Sequence, residues 1–143
     1  MDATAMIARK TAAAKIGAKT TTTPSAAKPA TPVARFRMRI TSGDTISVGP
    51  GKIALLEAIR AERSITAAAQ SIGMSYRRAW MLVDELNAAL KKSAVRSIKG
   101  GDHGGGSELT EEGAMLVAVY RRIEEQAAKA CAAEIKALLK LVR

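Results

Sequence analysis

A mainly α fold with a small β wing is predicted by three features of this 143-residue chain. Two short segments of helical apolar spacing, Ser64–Ile72 and Ser75–Leu90, are separated by a turn at Gly73. A glycine-rich run from Lys99 to Thr110 joins two strand-like stretches. An apolar stripe with spacings of three and four follows Thr110. Together they describe a winged helix-turn-helix with a long C-terminal dimerisation helix.

Residues 1–34 read as a disordered basic tail. They are rich in Ala, Lys and Thr, carry Pro24, Pro29 and Pro32, and have almost no large apolar side chains to bury. No continuous hydrophobic run follows Arg9 and Lys10, so no secretory signal is expected. Composition leaves two readings of the tail open: an arm along DNA phosphates, or an inert linker.

Residues 35–143 form the expected folded domain. Phe36, Met38 and Ile40 alternate with Arg37, Arg39 and Thr41, the period of a half-buried strand. Ser42-Gly-Asp44 reads as a turn and Thr45–Val48 as the returning strand. Pro50 suits the first turn of a helix running to about Glu62, with Ile53, Leu56 and Ile59 inward.

The next segment is the most informative. Ser64 can cap a helix whose Ile65, Ala68, Ala69 and Ile72 share one apolar face. Ala69 is small enough for a second helix to cross close by. Gly73 stands where the turn needs a positive φ. Ser75 can cap the second helix, with Ala79, Val83, Leu86 and Leu90 buried. The first turn of that helix carries Tyr76, Arg77 and Arg78 and none of the acids a helix N-terminus favours. The arginines therefore call for an external anion, although a solvated basic hairpin stays open as the alternative. Arg77 or Arg78 could pair bidentately with guanine, worth about 1–3 kcal/mol of discrimination. Tyr76 is placed to bond a phosphate, and Trp80, four residues on, is expected to fill the core.

Strand-like alternation resumes at Val95–Lys99. The run Lys99-Gly-Gly-Asp-His-Gly-Gly-Gly-Ser-Glu-Leu-Thr110 then reads as the wing, in which glycines let the backbone approach a phosphate without side-chain clash. A nucleotide-binding loop is disfavoured because no Gly-Lys-Ser/Thr follows and no Rossmann strand precedes it, whereas a plain flexible loop stays open as the alternative. Thr110 can cap the last helix, with Glu111 and Glu112 complementing its dipole. Its stripe of Leu116, Tyr120, Ile123, Ala127, Cys131, Ile135, Leu138 and Val142 is expected to run unbroken to about Leu141. A helix of about 45 Å outreaches so small a domain. A second copy of the chain is the expected partner for the excess, giving a two-fold homodimer. A kink that folds the helix back is the alternative. Cys131 is expected to pack in the stripe.

Composition narrows the function classes. Lys and Arg number 23 against 13 Asp and Glu, a formal charge of +10, which favours polyanions. Residues 1–35 and the remainder each contribute +5. The single cysteine excludes an intrachain disulfide and a Cys-based zinc site, and the single histidine offers no metal pair. No run of 18 apolar residues exists, so no membrane span is expected. No nucleophile–base pair, metal cluster or phosphate loop suggests an enzyme, and no cofactor is expected.

Ser75-Tyr-Arg-Arg-Ala-Trp-Met-Leu-Val-Asp-Glu-Leu-Asn87, followed by Gly100-Gly-Asp-His-Gly-Gly-Gly-Ser-Glu-Leu-Thr-Glu-Glu-Gly113, resembles the N-terminal DNA-binding domain of ModE-type molybdate-responsive regulators. That domain is similar to the winged helix of LysR-type regulators. The resemblance covers about residues 35–135. It implies a bacterial, cytoplasmic transcription regulator that binds double-stranded DNA and dimerises through its first and last helices. Matched to the motif, Thr66, Ser75, Tyr76, Arg77 and Arg78, with Lys99, Gly100, Gly101, His103, Gly104, Gly105 and Gly106 of the wing, would face DNA. Leu55, Leu116, Tyr120, Ile123, Ala127, Ile135 and Leu138 would serve the dimer. Family members carry molybdate-binding domains after this one, whereas the chain stops at Arg143, so molybdate is not an expected ligand. Two other functions stay open: an architectural, largely non-specific DNA binder, and a protein-interaction module on the same fold.

Overall fold

The computed structural model describes residues 30–101 and 104–143. The expected tail thus lies, for its first 29 residues, outside the described residues. Over Pro32–Arg143 the chain is mainly helical, with two small antiparallel sheets of two strands each. Strands β1 (Ile40–Ser42) and β2 (Thr45–Val48) form the first hairpin. Helices α1 (Pro50–Glu62), α2 (Ile65–Ser71) and α3 (Tyr76–Ala89) follow. Strands β3 (Val95–Gly101) and β4 (Gly104–Leu109) make the second hairpin, and α4 (Glu111–Ala130) and α5 (Ala132–Leu139) close the chain.

The core is one cluster in which α1 is central. Ile53, Leu55, Leu56 and Ile59 of α1 meet Ile65, Ala68 and Ala69 of α2, Ala79, Val83 and Leu86 of α3, and Val117 and Tyr120 of α4. Each fully buried Leu or Ile contributes on the order of 2 kcal/mol. Lys52 is buried among them. Its ammonium donates to the carbonyls of Ile46 at 2.6 Å and Ser47 at 3.4 Å and pairs with Glu85 at 3.2 Å. Three donors meet three acceptors, which is the condition for burying a charge. The contact ties β2, α1 and α3 together.

Three expectations are corrected here. Pairing in the first hairpin reaches only Ile40, opposite Val48, so no strand spans Phe36–Arg39, and Phe36 and Ile40 are exposed. Strand β2 is too short to pair further. The Met38 carbonyl is instead taken by the Tyr120 hydroxyl, which donates to it at 2.7 Å. Leu55 and Tyr120, expected between two copies, are 1% and 2% exposed inside this chain. The last helix is not continuous. Cys131 breaks it with φ −105° and ψ 18°, within an alanine-rich stretch that offers little to pack. Cys131 itself is exposed, and α5 buries no residue, so the break does not fold the helix back onto the core.

The expected caps are present. Thr110 Oγ1 accepts from the Gly113 N–H at 3.1 Å and donates to the Ser93 carbonyl at 2.6 Å. The backbone N–H of Glu112 and the Lys92 ammonium, 3.1 Å away, hold the Glu112 carboxyl below the usual carboxylate range. Burial, followed by the Glu124 charge, pushes the Tyr120 phenol above its ordinary value. The fold therefore favours the neutral phenol, and the unfolded chain deprotonates first as pH rises. Its contribution is complete below pH about 10 and is lost as pH climbs through the raised folded value. Tyr120→Phe is expected to cost about 1 kcal/mol at neutral pH. In urea melts the gap to the native chain should close above pH about 10, and a gap independent of pH would contradict the account.

Candidate nucleic-acid interface

The exposed start of α3 is built by its two neighbours. Gly73 adopts φ +67°, which reverses the chain after α2. The Met74 N–H returns to the Ala69 carbonyl at 2.8 Å and the Gly73 N–H to that of Gln70 at 3.2 Å. Ser75 Oγ then accepts from the Arg78 N–H at 3.2 Å, as Ser64 Oγ does from Ala67 at 3.2 Å at the start of α2. Tyr76, Arg77 and Arg78 are all exposed on the first turn of α3, which holds no acid. Neither arginine has an ion-pair partner among the described residues. Other arginines differ. Arg63 and Arg96 share Glu108 at 3.3 and 2.7 Å, and Arg121 is held by Glu57 and Glu124.

Trp80 is not a core residue. It is 36% exposed and stands edge-to-face with Tyr76, ring centroids 6.1 Å apart and planes at 76°. Its ring faces a shallow groove of about 320 Å³ lined by Ser64, Thr66, Ile98, Gly105 and Gly106. The structure thus brings Thr66 of α2, Trp80 of α3 and two hairpin glycines to one place. Ile72, expected inward on α2, is 39% exposed.

The second hairpin is seated by backbone contacts. Arg63 ends α1 with φ 56° and ψ 25°, and its carbonyl accepts the Ser107 N–H at 3.0 Å. A Cβ on Gly106 would stand 2.5 Å from that carbonyl oxygen, and one on Gly105 would stand 2.8 Å from the Ile98 oxygen. These two glycines therefore answer to close approach within the chain, a reason the sequence did not reveal. Asn87 holds the other end. Its Oδ1 accepts from the N–H groups of Ala94 at 2.9 Å and Val95 at 3.3 Å, and its Nδ2 donates to the Val95 carbonyl at 3.2 Å. That side chain ties the start of β3 to α3.

Lys99 and Gly100 are exposed on β3, and Gly101 lies opposite Gly104 near the tip, beyond an irregularity after Ile98. His103 lies outside the described residues. Ser75, Tyr76, Arg77 and Arg78 cluster on α3, with Thr66 one helix away across the Trp80 groove.

No protein-family model matches the chain. It is 38% identical over 88 residues to the molybdenum transport protein ModE of Azotobacter vinelandii, covering 62% of this chain and 33% of that protein. It is 43% identical over 82 residues to the molybdenum-pterin-binding protein MopB of Rhodobacter capsulatus, covering 57% and 30%. It is 37% identical over 71 residues to the DNA-binding transcriptional dual regulator ModE of Escherichia coli (strain K12), covering 50% and 27%. The chain spans about a third or less of the length of these curated relatives.

Proposed function

We propose that the chain is a DNA-binding transcriptional regulator acting as a homodimer. In this reading the domain is a winged helix-turn-helix: α3 enters the major groove and the β3–β4 hairpin lies as a wing on the backbone or minor groove. The observation that carries it is the first turn of α3, where Tyr76, Arg77 and Arg78 are exposed, unopposed by any acid and without ion-pair partners among the described residues. Similarity to a protein named as a DNA-binding transcriptional regulator supports it. The reading puts the protein in the cytoplasm with its DNA. Among the described residues no helix is long and apolar enough to cross a membrane.

Binding to the promoter of its own gene and to a shuffled duplex, at about 150 mM salt where exposed charges are screened beyond ~8 Å, tests the central point. The promoter is expected to win, and Arg77→Ala/Arg78→Ala to reduce that preference by about tenfold or more. Equal affinity for both duplexes would reject sequence-specific regulation and favour an architectural DNA binder.

The dimer seam is proposed on α4. Met115, Val119 and Ile123 recur every four residues and are 65%, 50% and 41% exposed, and Leu138, Leu141 and Val142 are exposed beyond the break. With Leu55 and Tyr120 buried in the core and Leu116 half-buried against it, the seam is centred on Val119 and continues through Ala127 and Ile135. Val119→Glu is expected to halve the mass measured by sedimentation equilibrium. A monomeric native chain, or a variant that keeps the native mass, would exclude this seam.

A further inference from the structure

On the flank of α3 opposite Trp80, a second groove of about 630 Å³ runs between the segment before β1, the start of α1 and α3. Arg37 and Arg39 line it from one wall and Arg78 and Met81 from the other. All three arginines are exposed, and none has an ion-pair partner among the described residues. The acids in the groove are Asp44 and Glu85, and the Glu85 carboxylate is engaged by the buried Lys52 at 3.2 Å. The groove is therefore a net cationic channel.

Its position matters as much as its charge. Arg78 belongs both to this groove and to the exposed first turn of α3, so the channel continues the surface that carries Tyr76 and Arg77. The opposite wall is held in place. Tyr120 anchors the Met38 carbonyl, which sets Arg37 and Arg39 on either side of a fixed point. Gly49 carries no side chain at the floor, and a Cβ there would already meet Ile46 at 3.2 Å and Arg39 at 3.6 Å. The Arg39 stem thus lies against the start of α1. Unpaired guanidinium groups on both walls of an open channel suit a chain of phosphodiesters.

We propose that Arg37 and Arg39, with Arg78, form a phosphate clamp that grips the DNA backbone beside the groove that α3 enters. The inference rests on the DNA-binding reading and extends its footprint to the segment preceding β1. Contacts of this kind position the protein without reading sequence. Each phosphate neutralised contributes about 0.9 to the slope of log affinity against log salt.

The test compares the full chain with Arg37→Ala/Arg39→Ala on the promoter and shuffled duplexes over a salt series, with circular dichroism to verify folding. The slope is expected to become shallower by about 1.8, with the same weakening factor on both duplexes. Arg122→Ala/Lys136→Ala removes the same charge from exposed positions on α4 and α5 and should change the slope by less than half as much. An unchanged slope in the Arg37/Arg39 variant, or equal changes in the two double variants, would overturn the clamp. Failure of the native chain to bind any duplex would instead overturn the DNA-binding reading, and the clamp with it.

Discussion

Three alanines with almost no accessible surface set the geometry on which the rest depends. Ala68 and Ala69 of α2 and Ala79 of α3 are 0%, 1% and 0% exposed, in the core cluster where both helices meet α1. Small side chains there let α3 cross close to α2, so the start of α3 projects outward while Val83 and Leu86 stay buried. Larger side chains in such a contact would force backbone shifts, because interiors are close-packed. The exposed arginines of α3 are thus a consequence of what lies beneath them.

Polar contacts then fix what the alanines bring together. Lys52 binds β2, α1 and α3 through a fully satisfied ammonium. Asn87 ties the start of β3 to α3, and the Arg63 carbonyl receives β4 at the junction of α1 and α2. The cations divide accordingly. Those at the joints of the fold, Arg63, Arg96 and Arg121, are matched by Glu108, Glu57 and Glu124, whereas Arg37, Arg39, Arg77 and Arg78 are exposed without ion-pair partners among the described residues. Charge is thus neutralised at these joints, while the start of α3 and the segment before β1 keep theirs unpaired.

Much of this was legible locally. The caps at Ser64, Ser75 and Thr110, the positive φ at Gly73 and the buried faces of α1 and α3 follow from spacing and backbone chemistry. What escaped depends on tertiary partners. Trp80 lies about 100° around the helix from Ala79, at the edge of the buried face, and only the position of the hairpin decides whether that edge is covered. Leu55 and Tyr120 look available in a one-dimensional stripe, yet the packing of α1 and α4 buries them. Alternation at Phe36–Ile40 suggested a strand, but alternation does not supply a partner, and β2 is too short to pair with it. The glycines at 105 and 106 suggested phosphate approach, but a carbonyl of the chain itself occupies the space each leaves open.

Trp80 is the only tryptophan of the chain and stands on α3 between Tyr76 and the second hairpin. Its fluorescence therefore reports on the proposed docking surface without any label or substitution. Titrating the native chain with promoter duplex, while following both Trp80 emission and the anisotropy of dye-labelled DNA, tests the account most directly. A saturable change in emission with the same midpoint as the anisotropy is expected. Binding seen by anisotropy with Trp80 emission unchanged would mean that DNA docks elsewhere, and would contradict the central role given to α3.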